Sequence, residues 1–424
     1  MMGMKKKVLA FAAAAVLMAP QMVGAEGFAI YEWSAEGLAM GGARMFAEND
    51  AANLAYNPAS ITKVKGEAFK VSATYLSPHG KYDVVPGALG GAYETSGHNR
   101  VHPAWAPGMY YVKQMNDKEW FGMGTYSRFG MVSQFERNSV PGSNAFSSKL
   151  NGISLGMNYA HKFDKKWAGS LGAEINYVGL QMDKNLLGKA PLHVEGETYA
   201  LGWNAAANYT FDDKNEMGIV YRSKIKHSME ADYDFHVPYP RLDNQRGDAY
   251  GVVTLPESLD IGYSHRFNDK TRVEARYTWT RWDRYSALNI GVNGPMMMPN
   301  PMDPTTLMLV DSLDSDKNWG NGKRFAIGLE HKFSDKYSGL LGYAFDHSNI
   351  PYDGGDFMIP TGTRTTYGIG CQYHDKKQTL AFSLAWMNVG SLDFKGNGKT
   401  DTFTSAHTRD SYTKIASISY QRNF

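Results

Sequence analysis

Apolar and polar residues alternate with a period of two through most of this chain, in runs of about ten or more residues. In 321–333, Phe325, Ile327, Leu329 and Phe333 share one phase, and Arg324, Ala326, Gly328, Glu330 and Lys332 the other. In 377–391, Leu380, Phe382, Leu384 and Trp386 alternate with Ala381, Ser383 and Ala385. In 270–286, Val273, Ala275, Tyr277 and Trp279 oppose Arg272, Glu274, Arg276 and Thr278. Fourteen runs read as strands. They lie near 67–77, 104–115, 120–135, 149–163, 166–182, 197–211 and 214–229. The rest lie near 256–267, 270–286, 321–333, 336–348, 361–374, 377–391 and 412–424.

Six tight polar turns join them in pairs, centred on Asp117, Lys165, Asp213, Asp269, Asp335 and Lys376. Between consecutive turns the chain makes a longer, irregular excursion. Short turn, strand, long loop, strand is the grammar of an all-β, transmembrane antiparallel β-barrel. A charge in mid-strand would cost about 2–4 kcal/mol facing lipid at the midplane, so the charged phases are assigned to the lumen. A soluble sandwich also alternates, but its strands average about 5–6 residues. Fourteen is even, as a single-chain outer-membrane barrel requires. Both termini then fall on the short-turn, periplasmic side, and seven long connections are extracellular.

The first 25 residues read as a signal peptide. Lys5, Lys6 and Lys7 precede an apolar stretch from Val8 to Ala19, and Val23-Gly24-Ala25 supplies small residues for cleavage. No later stretch approaches the roughly 20 apolar residues of a transmembrane helix. Mean hydropathy is −0.42, with 44 glycines and 26 tyrosines. That fits a barrel with a polar lumen, in which only every second strand residue meets lipid. A net charge of +2 without a basic stripe argues against a nucleic-acid partner. The single Cys371 excludes an intramolecular disulfide. Twelve scattered histidines show no metal-ligand spacing, and no cofactor is expected.

Residues 26–65 precede the first strand, and the barrel occupies 66–424. The leading segment is too polar and glycine-rich for a barrel strand. Its apolar groups, among them Phe28, Ile30, Tyr31 and Trp33, need burial, so an N-terminal plug or hatch in the lumen is expected. Ser34 can cap a short helix over 35–40. Gly27-Phe28, Glu32-Trp33-Ser34, Gly37-Leu38 and Ala47-Glu48-Asn49-Asp50-Ala51, running through Asn53 to Asn57-Pro58-Ala59, resemble the plug of the FadL/TodX family. Members of that family carry long-chain fatty acids and other hydrophobic compounds across the outer membrane. The resemblance continues through Pro103-x-Trp105-x-Pro107, Trp120-x-Gly122-x-Gly124, Phe129-Gly130, Leu255-Pro256-Glu257 and Asp346-x-Ser348-x-x-Pro351.

What the resemblance implies is a plugged barrel, capture of a hydrophobic ligand at the extracellular loops, and lateral exit where the third strand is kinked. On this chain the kink is expected at Ser127-Arg128-Phe129-Gly130, where glycine interrupts a strand and invites a bulge. Asn57, Pro58 and Ala59 are the plug segment expected beside it. Phe28, Arg222, Arg276 and Arg364 are candidate ligand groups. The three cations, with Lys224, share the predicted inward phase, but so do Glu174, Glu274, Glu330 and Asp346, and lumenal ion pairs account for them equally well. In the fifth extracellular loop, Met296, Met297 and Met298 form an adaptable apolar run. Asp303-Pro304 there reads as a helix start, with Leu307, Met308, Val310 and Leu313 as its stripe. This loop is either a capture surface or its own small core.

The implied partners are a fatty acid or hydrocarbon, outer-membrane lipid and lipopolysaccharide, and the barrel-assembly machinery, through the terminal aromatic Phe424. A monomer is expected. Two other classes compete with this reading. An open diffusion porin is disfavoured by the plug-like segment. A barrel enzyme needs a nucleophile and base converging on one site, and Ser264 and His265 carry no such motif.

Overall fold

The wall is one antiparallel sheet closed on itself in the computed structural model, which describes residues 27–87, 94–186, 190–236, 244–285, 287–294, 296–300, 306–396 and 401–424. The segment expected to be a signal peptide, residues 1–25, lies outside the described residues. The first half of the wall comprises β1 (Glu67–Pro86), β2 (Ala104–Gln114), β3 (Glu119–Tyr126, resuming at Gly130–Gln134), β4 (Ser147–Lys162), β5 (Trp167–Leu186), β6 (Ala190–Thr210) and β7 (Asn215–Arg222, resuming at Ile225–Phe235). The second half comprises β8 (Gln245–Leu255 and Ser258–Arg266), β9 (Thr271–Thr280), β10 (Gly322–Lys332), β11 (Tyr337–His347), β12 (Arg364–His374), β13 (Gln378–Val389) and β14 (Phe403–Asn423). Each pairs with its neighbour, and β1 pairs with β14 over most of its length, so the barrel closes at fourteen.

The outer face carries the apolar phase. Leu171, Leu201, Phe325, Ile369, Phe382 and Leu384 are exposed there, while Arg324, Glu274 and Ser383 on the other phase are buried. Phe163, Trp167, Phe211, Phe267, Phe333, Tyr337 and Phe424 are exposed beside the periplasmic turns. Trp105, Tyr199, Tyr250 and Trp386 are exposed toward the other end. Two aromatic girdles bracket a membrane-spanning band. The turns are stiffened locally: Asp164 accepts from the backbone N–H groups of Lys166 and Trp167, at 2.7 Å each.

Several strands run further than their alternation predicts. β5 and β6 extend to Leu186 and back from Ala190, where a longer loop is expected. The side-chain direction keeps its period, but the chemistry of the two faces inverts above Tyr177 and Tyr199. Below that level Glu174, Asn176, Asn204 and Asn208 point inward; above it Val178, Leu180, Met182, Val194 and Leu192 do. Glu195 and Glu197 there face outward and are exposed. The wall has left the membrane, so water lies outside and apolar groups inside. The polar lumen read from the sequence therefore holds only for the periplasmic half.

Two further expectations change. At Ser223–Lys224 strand β7 bulges: Ser223 is buried and Lys224 is exposed, so Lys224 leaves the inward phase. The opposite strand is interrupted at Pro256, which has no N–H to offer the ladder. In the fifth loop the helix expected after Asp303-Pro304 is replaced by strands. Met297–Pro299 pairs with Leu307–Leu309, and Ser312–Asp316 pairs with Ala287–Asn293. The apolar run obeys period two because its neighbour supplies a strand edge; Asp303 and Pro304 themselves lie outside the described residues.

Candidate functional site: a stoppered gap in the wall

Residues 27–63 thread the periplasmic half of the lumen, and nearly all are buried. They form α1 (Ala35–Ala39), α2 (Asn53–Tyr56) and a 3-10 turn (Pro58–Lys63). Ser34 caps α1 by accepting the Gly37 N–H at 3.1 Å. Its far end docks on a row of glycines, Gly328, Gly342 and Gly368, which are register partners across β10, β11 and β12. A Cβ on Gly342 would come within 2.2 Å of the Met40 carbonyl carbon, and one on Gly368 within 2.5 Å of the Leu38 oxygen. Backbone thus lies on backbone, which larger residues would forbid. Inside the segment, the Tyr56 hydroxyl accepts the N–H groups of Trp33 and Ser34 and donates to the Tyr31 carbonyl. Burial pushes its ionisation up.

Charge holds this segment to the wall. Lys70 of β1, almost wholly buried, reaches Glu36 and Asp50 at 2.8 Å each. Burial alone would raise the Asp50 carboxyl, but Lys70 and Arg44 hold it down at about 2. Arg44 also pairs with Glu330 of β10. Glu274 of β9 accepts the N–H groups of Met45 and Phe46 at 2.6 and 3.0 Å. The candidate ligand cations belong to the same lattice. Arg222 pairs with Asp260 and donates to the Ala55 carbonyl. Arg276 pairs with Asp260 and donates to the Gly42 carbonyl at 3.0 Å. Both guanidiniums also lie 5.7 Å from the Trp33 ring. Arg364 shares Asp346 with Arg324. Asn57, Pro58 and Ala59 sit elsewhere than the kink: the Asn57 amide donates to Asn208 of β6 at 2.8 Å, and Ala59 packs with Ala206 and Val220.

At the third strand the ladder fails. β2 and β3 pair up to Met109 and Thr125, and beyond that the next bond between their lines is Arg100 N–H to the Gln134 carbonyl, at 2.6 Å. Ser127, Arg128 and Phe129 bend into the lumen. Gly152 of β4 leaves room for them, since a Cβ there would lie 2.5 Å from the Phe129 carbonyl. The resulting gap is stoppered from within by residues 28–33. Ile30 N–H donates to the Arg128 carbonyl at 2.8 Å, and Gly130 N–H to the Phe28 carbonyl at 2.9 Å. Trp33 Nε1 donates to the Ser127 carbonyl at 2.5 Å. Ala29 and Phe129 are thereby paired as in an antiparallel sheet. Arg128 itself turns to Glu174 at 3.1 Å. A mostly apolar cavity of about 80 Å³ adjoins the extracellular part of this gap, bordered by Val101 and Val132 and lined by Tyr82, Met131, Phe135 and Met358.

Above the stopper lies a continuous apolar cluster that includes Val178, Leu180, Met182, Leu192, Val194, Met229, Tyr233 and Phe235. Met296 and Met298 are buried in it, whereas Met297 is half-buried and Leu307, Met308 and Leu309 are exposed on the hairpin. Gln245 holds that hairpin as a mock strand, its amide bonding both the N–H and the carbonyl of Met297. Ser264 and His265 do not converge: Ser264 is buried in the lumenal phase, while His265 bonds Asn215 on the other.

Phe28 is fully buried among rings that no local motif announces. Its centroid is 4.8 Å from Trp282, 5.3 Å from Tyr285, 6.0 Å from Phe129 and 6.5 Å from Trp319. Trp282 arrives because the chain turns inward after β9 in a short 3-10 turn, Trp282–Arg284. Nearby, Lys317 is fully buried and paired with Asp356.

The sequence signature described as outer membrane protein transport protein (OMPP1/FadL/TodX) matches residues 16–424. The chain is 24% identical to a long-chain fatty acid transport protein of Escherichia coli, over 92% of this chain and 93% of that one. It is 24% identical to outer membrane protein P1 of Haemophilus influenzae, covering 87% of each. Its fold is similar to that of a Pseudomonas aeruginosa FadL homologue, with TM-score 0.82 and 18% identity over 94% of this chain and 100% of the other. It is also similar to the Pseudomonas putida toluene transporter TodX, with TM-score 0.70 and 16% identity over 93% and 99%. The chain belongs to the OMPP1/FadL/TodX family of outer-membrane transport proteins.

Proposed function

We propose that this protein imports hydrophobic molecules, long-chain fatty acids first among them, and releases them sideways through the gap between β2 and β3. The observation that carries this reading is the stopper: a wall opening closed from within by residues 28–33, beneath an apolar upper lumen. A hydrophobic molecule gains nothing in an aqueous pore, but gains about 0.8 kcal/mol per methylene on returning to hydrocarbon. The exposed Leu307–Leu309 edge, with Met297, offers apolar surface at the extracellular end for first capture. The apolar cluster passes the ligand inward, and Lys317 is positioned to exchange Asp356 for a ligand carboxylate. Withdrawal of residues 28–33 from Arg128 and Gly130 then opens the gap. Asn57, Pro58 and Ala59 act as an anchor of the hatch on β6.

Uptake of labelled oleate and of toluene by a transporter-deficient host expressing the chain tests this. Uptake of either, together with near-silence in planar bilayers, is expected. Large steady channels without selectivity for hydrophobes would instead make the protein a porin. Aromatic hydrocarbons are the second cargo class, favoured by the rings around Phe28.

A further inference from the structure

Three rings stack on the outer face of the wall, at the seam where β14 closes against β1. Tyr412 lies 4.5 Å from Trp386 at an interplanar angle of 15°, and 4.8 Å from His79 at 12°. Beside them, on the same outward phase, stands Lys414. Its Nζ is 6.0 Å from the Trp386 ring centre and 5.8 Å from that of Tyr412. Its register partners are Ser77 of β1 and Trp386 of β13. The strand itself sets the height of this lysine. Phe424 belongs to the periplasmic girdle, and from there to Lys414 the strand climbs about 25 Å, at about 3.4 Å per residue and a tilt of about 40°. That is the height of the apolar band. The outward residues between Arg422 and Lys414 are Tyr420, Ile418 and Ala416, so two cations bracket an uncharged stretch. Lys414 is the one at the outer-leaflet level.

Lys414 is exposed and has no carboxylate partner among the described residues. The acids near it are already taken. Asp410 faces Lys81 and Arg409 at 3.1 and 3.0 Å, and Asp83 pairs with Arg409. A lysine that only snorkels keeps a mobile stem and a head in water. Here two rings that are themselves stacked hold the ammonium in place, with its three N–H donors at the level of the lipid headgroups. A fixed cation there complements phosphate. We propose that Lys414, framed by Trp386 and Tyr412, binds a phosphate of the outer-leaflet lipid, a phosphorylated glucosamine glycolipid. Its acyl chains lie along Ala416, Ile418, Leu384 and Phe382, the last three about half exposed on the same face. The lipid so bound covers the β1–β14 seam from outside. The site is apart from the lumen and independent of the cargo.

Binding of fluorescent bisphosphorylated lipid A, and of the same lipid without its phosphates, to the purified protein in detergent tests the site. The parent is expected to prefer the phosphorylated lipid by about fivefold or more. Lys414→Gln should abolish that preference and leave the affinity for the dephosphorylated lipid within about twofold. Lys414→Arg keeps the charge and should keep most of the preference. Trp386→Ala should weaken phosphorylated-lipid binding by about two- to fivefold, through loss of the ring beside the ammonium. Lys226→Gln removes an exposed outward charge from β7 instead and should change binding by less than about twofold. A parent without preference for phosphate leaves Lys414 a snorkelling lysine and overturns the site. An equal loss in Lys226→Gln reduces the effect to net charge and overturns it too. Displacement of the lipid by equimolar oleate would make the site one for fatty carboxylates, again against the proposal. Heat-modifiable mobility selects folded protein for every variant, and Lys414→Met repeats the comparison should Lys414→Gln not assemble.

Discussion

The two halves of the lumen use the same fourteen strands in opposite ways. The periplasmic half is filled by the hatch and bonded to it by charge: Lys70 with Glu36 and Asp50, Arg44 with Glu330, and Arg222 and Arg276 with Asp260. The extracellular half is apolar, with Val178, Leu180, Met229 and Phe235 buried in one cluster. Ion pairs are directional, and breaking a buried one leaves an uncompensated charge. Apolar contact is non-directional, and one greasy occupant can replace another. On the transport reading proposed above, the lower half stays and the upper half exchanges its occupant. Residues 28–33 sit where the two regimes meet. They bond to the kink through backbone groups and Trp33 Nε1 and carry no salt bridge of their own among the described residues.

The comparison breaks most visibly at Lys70. Lys70→Met leaves Glu36 buried without its lysine and Asp50 with Arg44 alone, a loss of about 3–5 kcal/mol in hatch seating. Steady conductance in planar bilayers and protease cleavage within 34–63 are expected, where the parent shows neither. Met182→Ser, in the upper half, should do the reverse. Losing that burial weakens the apolar path by about 1.5–3 kcal/mol at most, lowering hydrophobe uptake while the bilayer stays silent.

A pH titration sharpens the contrast. The Asp50 carboxyl is held at about 2 against an ordinary 3.8, so its contribution to seating is complete above about pH 4 and is lost as pH falls toward 2. Conductance should stay silent from pH 8 to 5 and rise only below 4. Openings that begin near pH 6 would point to a different group. The smallest effect belongs to the turns. Asp164 is exposed, and backbone N–H groups hold its carboxyl low. Asp164→Asn keeps an accepting oxygen and should leave heat-modifiable mobility and uptake unchanged.

The barrel was legible because its evidence is local. Alternation sets the face of each residue, Asp- and Asn-rich turns mark the periplasmic ends, and Gly130 marks the break in β3. The inversion above Tyr177 was not legible as strand, because the rule of apolar outside fails once the wall leaves lipid. The inward phase identified Arg222, Arg276 and Arg364 but could not name their partners, which come from strands and hatch residues far away in sequence. Lys224 leaves the inward phase because the register of β7 against β6 shifts by one residue between Arg222–Asn204 and Glu230–Glu197, which alternation alone does not announce. In the fifth loop, strand pairing overrode a helix-like stripe. Nothing local announces the ring cluster around Phe28 either, since residues 28, 129, 282, 285 and 319 meet only after the barrel closes.

Ala29 and Phe129 face each other, with the flanking residues making the backbone bonds. Such pairs bring Cα atoms to about 4.5 Å, within disulfide reach. The double variant Ala29→Cys, Phe129→Cys, in a Cys371→Ser background, therefore locks the stopper to the kink when oxidised. Oleate uptake by cells carrying it should fall to the level of the empty host under oxidant and return on reduction. Undiminished uptake through the oxidised, cross-linked protein would contradict exit through this gap.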